Sequence, residues 1–315
     1  MPTFHEQLSD ALAAGEPFAL GLISGIKGSS PQKQGAKALF FADGRIVGTL
    51  GGGCLEAEIQ DRARRSLLSG QPATFDLVLD HDFGWDDGLI CGGKVSGLIL
   101  PRAADAAPLW RELIQRDRPR AWGVRRDFSI AWAHGDPDEK WLYSETVMPP
   151  CPLWIAGSGH VAQAVAPLAV QLDFEVTVFD DRPTFASTKY FPEAVKCRIG
   201  AWEELFRDAL PEHPAFGLVV TRGHQRDALV LAEWIHRSFV FLGMIGSRRK
   251  ARLIFDQFLD EKLATRDEIA RVACPVGVDI QSRTVPEIAV SIMAQFIHKR
   301  AAALQSPAVE AAVAT

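Results

Sequence analysis

No large positive field surrounds this chain: its 315 residues carry 34 Lys and Arg against 39 Asp and Glu, a formal net charge of −5. Nucleic acid or an acidic membrane surface therefore meets no global attraction, and any anion site must be local. Long apolar runs are also lacking. Segments such as Phe239 to Ile245 and Phe216 to Val220 fall far short of the ~20 residues a membrane-spanning helix needs. Met1 to Asp10 has no basic stretch followed by an apolar one and no small-residue cleavage site, so nothing directs export and a cytoplasmic protein is expected. Cysteine is sparse: the five residues Cys54, Cys91, Cys151, Cys197 and Cys274 form no C-x-x-C pair. An odd count at such spacing argues against a disulfide framework and against a cysteine-rich zinc module. No internal repeat is present.

What is there has ordinary globular composition, 47% hydrophobic and 23% charged, in a length that suggests two domains at roughly 100–200 residues each. From about residue 18 to 100, short apolar stretches alternate with glycine. Phe18 to Ser24, Ala36 to Phe41, Arg45 to Gly48, Phe75 to Leu79 and Val95 to Leu100 read as strands, with Asp43-Gly44 as a tight turn. One helix interrupts them after Gly51-Gly52-Gly53, because Leu55, Ile59, Ala63 and Leu67 share a face of period 3.6. Further on, Trp110 to Ile114 suggests a helix, and Arg120 to Val124, Phe128 to Ala133 and Trp141 to Tyr143 suggest strands around a turn at Gly135-Asp-Pro137.

The proline cluster Met148-Pro-Pro-Cys-Pro152 disfavours helix and marks a domain junction. Strand and helix then alternate: Leu153 to Ala156, a helix Val161 to Gln171, Phe174 to Phe179, Phe216 to Val220, a helix Asp227 to Arg237, Phe239 to Leu242, and a helix Ser247 to Leu259. This grammar predicts a parallel sheet covered on both faces. Thr284-Val-Pro-Glu287 opens a last helix as a reciprocal cap. The expectation is an α/β protein, with an N-terminal mixed α+β domain over residues 1–147 and a doubly wound, Rossmann-like parallel-sheet domain over 148–300. Residues 301–315, rich in alanine, form a tail expected to fray.

Gly157-x-Gly159-x-x-Ala162 follows a strand and opens a helix, the context in which a glycine turn lets a pyrophosphate approach backbone amides. His160 falls beside that phosphate position. Asp180-Asp181 ends the second strand, where an acid would take a ribose hydroxyl. The same turn is open to NAD(P), to another phosphorylated ligand, or to packing alone. Gly246-Ser247-Arg248-Arg249-Lys250 puts cations at the start of a helix, against its dipole by ~0.3–1 kcal/mol per charge, a penalty that a bound phosphate reverses. Arg222 and His224, in Thr221-Arg-Gly-His224, follow another strand at the ligand-binding edge of such sheets. Cys54 begins the helix after Gly51, Gly52 and Gly53, where the dipole lowers a thiol's pKa and favours a reactive or metal-binding sulfur. Cys91 sits in a second glycine loop, Leu89-Ile-Cys-Gly-Gly93, and the two loops can converge; buried, inert thiols are the plain alternative. His81, Asp82, Asp86 and Asp87 read as a solvated acidic turn more readily than as a metal cluster.

These blocks resemble the xanthine dehydrogenase accessory factors of the XdhC/CoxI family. The N-terminal blocks are Gly28-Ser-Ser-Pro31, Gly35-Ala-Lys37, Asp43-Gly44, Gly48-Thr49, Gly51-Gly-Gly-Cys-Leu-Glu56 and Cys91-Gly-Gly93. The C-terminal ones are Gly157-Ser-Gly-His-Val161, Asp180-Asp-Arg182, Phe191-Pro192, Thr221-Arg-Gly-His224, Gly243 to Lys250, Pro275-Val-Gly277 and Pro286 to Ser291. The resemblance implies a molybdenum cofactor (molybdopterin) carrier rather than a catalyst. Such a protein protects the cofactor, supports its sulfuration with a cysteine desulfurase and delivers it to a xanthine dehydrogenase-type molybdenum hydroxylase. It further implies that Cys54 and Cys91 contact the cofactor or its metal, that a dinucleotide form of the cofactor is a candidate ligand, and that a homodimer is plausible. The competing reading is an NAD(P)-dependent oxidoreductase. Neither reading involves nucleic acid or a membrane.

Overall fold

The structure, a computed structural model, describes residues 3–79, 93–133, 140–185, 187, 189–206 and 215–304, the side chains of Cys54 and Leu304 excepted. Cys91, the acidic run from His81 to Asp87, the turn at Gly135 and the end of the tail lie outside the described residues. The chain forms two compact units, one ending at Pro149 and the next beginning at Pro150.

The first unit opens with α1 (Phe4–Ala14), which Thr3 and Glu6 cap reciprocally, and Gly15 closes it in the left-handed conformation. A five-stranded antiparallel sheet follows: β1 (Phe18–Lys27), β2 (Lys37–Phe41), β3 (Ile46–Gly48), then α2 (Gly53–Ser69), β4 (Ala73–Val78) and β5 (Lys94–Leu100). Its spatial order is β3-β2-β1-β5-β4. A single 3-10 turn leads into α3 (Ala107–Gln115), and β6 (Arg120–Val124), β7 (Ile130–Trp132) and β8 (Tyr143–Val147) form a small antiparallel sheet ordered β7-β6-β8. The strand expected at Trp141 to Tyr143 starts only at its last residue, because the ladder pairs Val124 with Tyr143 and Arg120 with Val147. The larger sheet is covered on both faces. Leu55, Ile59 and Ala63 of α2 pack on Ala19, Ile23 and Phe40, while Leu8, Leu109 and Trp110 pack on Leu20, Leu22 and Leu39. Double coverage is why β1 reads as a continuous apolar run rather than an alternating one.

The second unit contains β9 (Cys151–Ala156), α4 (His160–Gln171), β10 (Phe174–Asp180), β11 (Lys196–Ile199), α5 (Trp202–Leu205) and β12 (Phe216–Val219). It continues through α6 (His224–Trp234), β13 (Phe241–Met244), α7 (Arg248–Asp260), α8 (Arg266–Ala270), β14 (Val272–Ala273) and α9 (Val285–Leu304). The six strands are parallel in the order β11-β10-β9-β12-β13-β14. Counted from β9, that is the 3-2-1-4-5-6 order of the doubly wound, Rossmann-like fold. Leu153 and Ile155 face a core shared with α4 and α9, whereas Trp154 and Ala156 face one shared with α6 and α7. The Thr284–Glu287 cap stands at the head of α9, with the Glu287 carboxylate accepting from the Thr284 and Arg283 amides. The strand expected at Phe239 to Leu242 begins two residues later, where Phe241 pairs with Phe216. The helix expected from Asp227 begins at His224, its N-cap being Gly223.

Candidate functional site

Strand order reverses between β9 and β12, so the carboxyl ends of these strands form the crevice where ligands of such sheets bind. The turn after β9 is locked from behind. Gly157 has φ +108°, and a Cβ there would lie 2.5 Å from the Val220 carbonyl oxygen, so only glycine fits. Its N–H donates to the Phe179 carbonyl at 2.8 Å. Ser158, fully buried, donates to Asp180 from both its backbone N–H and its hydroxyl at 2.7 Å. Asp180, 1% exposed, also accepts from the Arg182 backbone N–H and, through both oxygens, from the Arg182 guanidinium at 2.9 Å. Burial alone would raise the Asp180 pKa; the hydrogen bonds from Arg182 and Ser158 outweigh it and hold the carboxyl at about 2. The carboxylate expected on a ribose is thus already engaged by protein donors, and nothing in this geometry favours the NAD(P) reading.

Around this turn the helix starts differ in how their amides are used. Gly159 caps α4 and Gly223 caps α6, and neither start has a side-chain cap, so amides of the first turn remain available to an anion. His160, Arg222 and His224 are exposed at these two starts. At α7, Ser247 is the N-cap as the sequence predicts, accepting from the Lys250 N–H at 3.2 Å, and Arg248 and Arg249 are exposed. Lys250 belongs to a different arrangement that local sequence reading missed. Its ammonium pairs with Asp227, which is fully buried, and donates to the Ile245 carbonyl at 3.1 Å. The other Asp227 oxygen accepts from the Thr221 N–H at 3.1 Å and hydroxyl at 2.7 Å. Asp227 and Lys250 therefore tie the loops after β12 and β13 to α6 and α7.

In the first unit the glycine loop before Cys54 is also internally organised, by Glu56. Its Oε1 accepts from the Thr49 hydroxyl at 2.5 Å and the Leu50 N–H at 2.8 Å. Burial works against ionisation, but the Thr49 hydroxyl and the Leu50, Gly52 and Gly51 amides keep the Glu56 carboxyl below its ordinary range. Gly51, Gly52 and Gly53 all have positive φ. The Gly51 Cα faces Pro31, 3.3 Å from where its Cβ would stand. Gly93 lies on the same loop: a Cβ there would be 1.9 Å from the Ser29 carbonyl oxygen. The loop Gly28-Ser-Ser-Pro31 thus supports both the turn that precedes Cys54 and the residue that follows Cys91 and Gly92. Cys54 is the second residue of α2. Lys37, conspicuous in the sequence, serves the small sheet: it pairs with Glu145 at 2.7 Å, which also accepts from the Tyr143 hydroxyl and the Trp122 indole.

Cys151, Cys197 and Cys274 are free and partly buried. Burial raises all three thiols, Cys151 and Cys274 to about 11, so they are protonated and unreactive at neutral pH. Among the described residues no group of three or more His, Cys, Asp or Glu is placed to hold a metal, and no helix is long and apolar enough to cross a membrane.

The geometry defines a doubly wound domain with open helix starts at its switch point, preceded by a unit in which a glycine loop opens the helix that carries Cys54. Residues 153–296 match the XdhC Rossmann domain and residues 11–78 match the XdhC and CoxI family. The chain belongs to this family. It is 29% identical over 285 residues to the uncharacterized protein YqeB of Escherichia coli, covering 89% of this chain but only 43% of YqeB. It is 25% identical to a probable xanthine dehydrogenase subunit of Bacillus subtilis, covering 95% of this chain and 98% of that one. It is likewise 25% identical to the molybdenum cofactor insertion chaperone PaoD of Escherichia coli, over 91% and 84% of the two chains. The fold is shared with the crystal structure of a xanthine dehydrogenase from Bacillus halodurans, at a TM-score of 0.83 and 24% identity over 97% and 98% of the two chains.

Proposed function

We propose that this chain is a maturation factor for xanthine dehydrogenase-type molybdenum hydroxylases, binding molybdenum cofactor as cargo and delivering it to the hydroxylase. The observation that carries the reading is the Glu56-braced glycine loop at the head of α2, which sets Cys54 in the first turn of that helix. A helix N-terminus lowers a thiol's pKa, and a thiolate suits the soft metal-dithiolene end of the cofactor. The three other described cysteines have raised pKa values, which leaves Cys54 and Cys91 as the thiols for this task. The second unit offers the chemistry a phosphate requires, through the uncapped starts of α4 and α6 and the exposed Arg222, Arg248 and Arg249. Membership of the XdhC and CoxI family and similarity to PaoD support the same reading.

In this role the protein shields the cofactor from oxidation, holds it while a cysteine desulfurase supplies the sulfur that replaces an oxo ligand, and works in the cytoplasm, with a homodimer as its assembly. The test is purification of the full chain from cells that make the cofactor, followed by fluorescence of the oxidised pterin and by transfer to apo-hydroxylase. The chain is expected to carry pterin and activate the hydroxylase, with Cys54→Ser or Cys91→Ser lowering the retained pterin while the circular dichroism stays unchanged. Absence of pterin together with failed transfer would overturn the proposal.

A further inference from the structure

A small cavity of about 70 Å³ opens at the carboxyl ends of β10 and β12, beside the switch point, walled by Asp180, Asp181, Arg182, Trp202, Arg222 and Arg226, with Thr221 at its edge. This is the side of a doubly wound sheet on which a dinucleotide would rest its ribose. Three features set it apart from a nucleoside pocket. Its volume is well below the ~300–1,000 Å³ of sites that enclose organic ligands. Its ribose-type acceptor is closed, because both Asp180 oxygens are held by Arg182 and Ser158. Its charge is reversed, since three guanidinium groups face two carboxylates.

The donors in that wall are not equally engaged. Arg182 is bound to Asp180, and Arg226 reaches Asp181 at 3.1 Å. Thr221 gives its N–H and hydroxyl to Asp227, so it offers the cavity neither. Arg222 is exposed and makes no ion pair among the described residues, which leaves its fork of N–H groups free. Trp202 is 5% exposed, and its indole Nε1–H is buried without an acceptor among the described residues. The Trp234 indole of the same core is in the same state, so the Trp202 indole marks no ligand by itself; an oxyanion is the ligand that the free Arg222 fork and the cationic wall admit.

We infer that this cavity is a site for one small oxyanion, a phosphate or the terminal phosphate of a monoester, held through Arg222 with Arg226 beside it, and that the arginines shut out the ribose of a dinucleotide. The inference stands on the cavity and does not require the pterin reading. It also accounts for an acid at the end of β10 in a fold that keeps the glycine turn: the acid anchors Arg182 instead of a sugar.

The experiment is calorimetric titration of the full chain with inorganic phosphate, against sodium chloride at matched ionic strength, followed by titration with NAD+. Phosphate is expected to bind and chloride not to reproduce the effect. Loss of a charge-assisted bidentate contact predicts that Arg222→Ala weakens phosphate roughly tenfold or more, with Arg222→Lys recovering part of the loss. Arg226→Ala is expected to weaken it as well, because it removes a cation and uncovers Asp181. NAD+ is expected neither to bind more tightly than phosphate nor to displace it at equal concentration. Phosphate affinity unchanged in Arg222→Ala, heat reproduced by chloride, or NAD+ binding more tightly than phosphate would each overturn the inference. Pterin retention, measured separately, separates the two readings. Pterin held by a chain that binds phosphate without Arg222 removes this site and keeps the maturation role, and Arg222-dependent phosphate binding without pterin does the reverse.

Discussion

Asp180→Asn isolates the part that one carboxylate plays in holding the glycine turn. Asp180 is 1% exposed and accepts five hydrogen bonds, two from Ser158 and three from Arg182. An asparagine offers one acceptor oxygen and turns an NH2 group toward donors. The folded carboxyl sits at about 2 instead of 3.8, a depression worth about 2 kcal/mol at pH 7. Stranding the buried Ser158 N–H adds about 1–3 kcal/mol, while Arg182, 30% exposed, can rehydrate and limits the total. We expect about 3 kcal/mol of destabilisation at pH 7. Because the folded pKa is depressed, the ionic part is fully present above the unfolded value near 4 and is lost as pH falls through about 2. The gap between wild type and variant should therefore narrow to about 1 kcal/mol near pH 2, other acid-labile groups cancelling in the comparison. Urea unfolding of both proteins across this range, followed by circular dichroism, measures it. A gap that stays constant with pH, or one below about 1 kcal/mol at pH 7, would refute the assignment of Asp180 as the ionised brace of the turn.

Four further outcomes follow from the geometry of the two units. Gly157→Ala places a Cβ 2.5 Å from the Val220 carbonyl at φ +108°, so the second unit should lose several kcal/mol of stability, about 3 or more, read as a fall in its urea midpoint. Lys250→Met leaves the fully buried Asp227 without its counter-charge and should destabilise by about 3–5 kcal/mol, whereas Arg248→Ala with Arg249→Ala, at exposed positions beside the positive end of α7, should leave the unliganded protein as stable or stabler by ~0.3–1 kcal/mol per charge; a melting curve on each decides. Glu56→Gln removes the charge that draws in the Leu50 and Thr49 donors and should lower retained pterin more than it lowers the melting temperature, assayed by pterin fluorescence and by thermal unfolding of the same preparations.

The elements that were legible in the sequence are those whose signals lie within a few residues. The turn after β9, Ser247 as the cap of α7 and Thr284 with Glu287 ahead of α9 all rest on spacings of three to five residues, and local chemistry determines them. Two similar signals, Thr3 with Glu6 and Thr265 with Glu268, stand at the heads of α1 and α8 and would have announced those helices. The short β11, α5 and β14 carry too few residues for any period to emerge. The polar braces were illegible for another reason. Lys37 meets Glu145 across 108 positions, and Lys250 meets Asp227 across 23, so neither pairing exists until the sheets have formed. Asp180 shows the limit most clearly: its position at the end of β10 was readable, but its engagement with Ser158 and Arg182 depends on side-chain directions that no spacing encodes.

This difference separates the polar residues of the family's motifs into two sets. Ser158, Asp180, Lys250, Glu56 and Lys37 are each satisfied within the protein, and their presence is explained by the fold they hold. His160, Arg222, His224, Arg248 and Arg249 are exposed, and no contact within the described residues explains them. All five sit at the beginnings of α4, α6 and α7, where a positive or protonatable side chain adds to the dipole's own positive end. A fold selected for stability alone would place acids there; α6 has only the buried Asp227, already paired within the protein, and α4 and α7 have none in their first turns. Three such starts on one edge of the sheet, two of them without side-chain caps, make physical sense when the missing negative charge arrives with a ligand, and the buried braces behind them keep the backbone amides in position before it does.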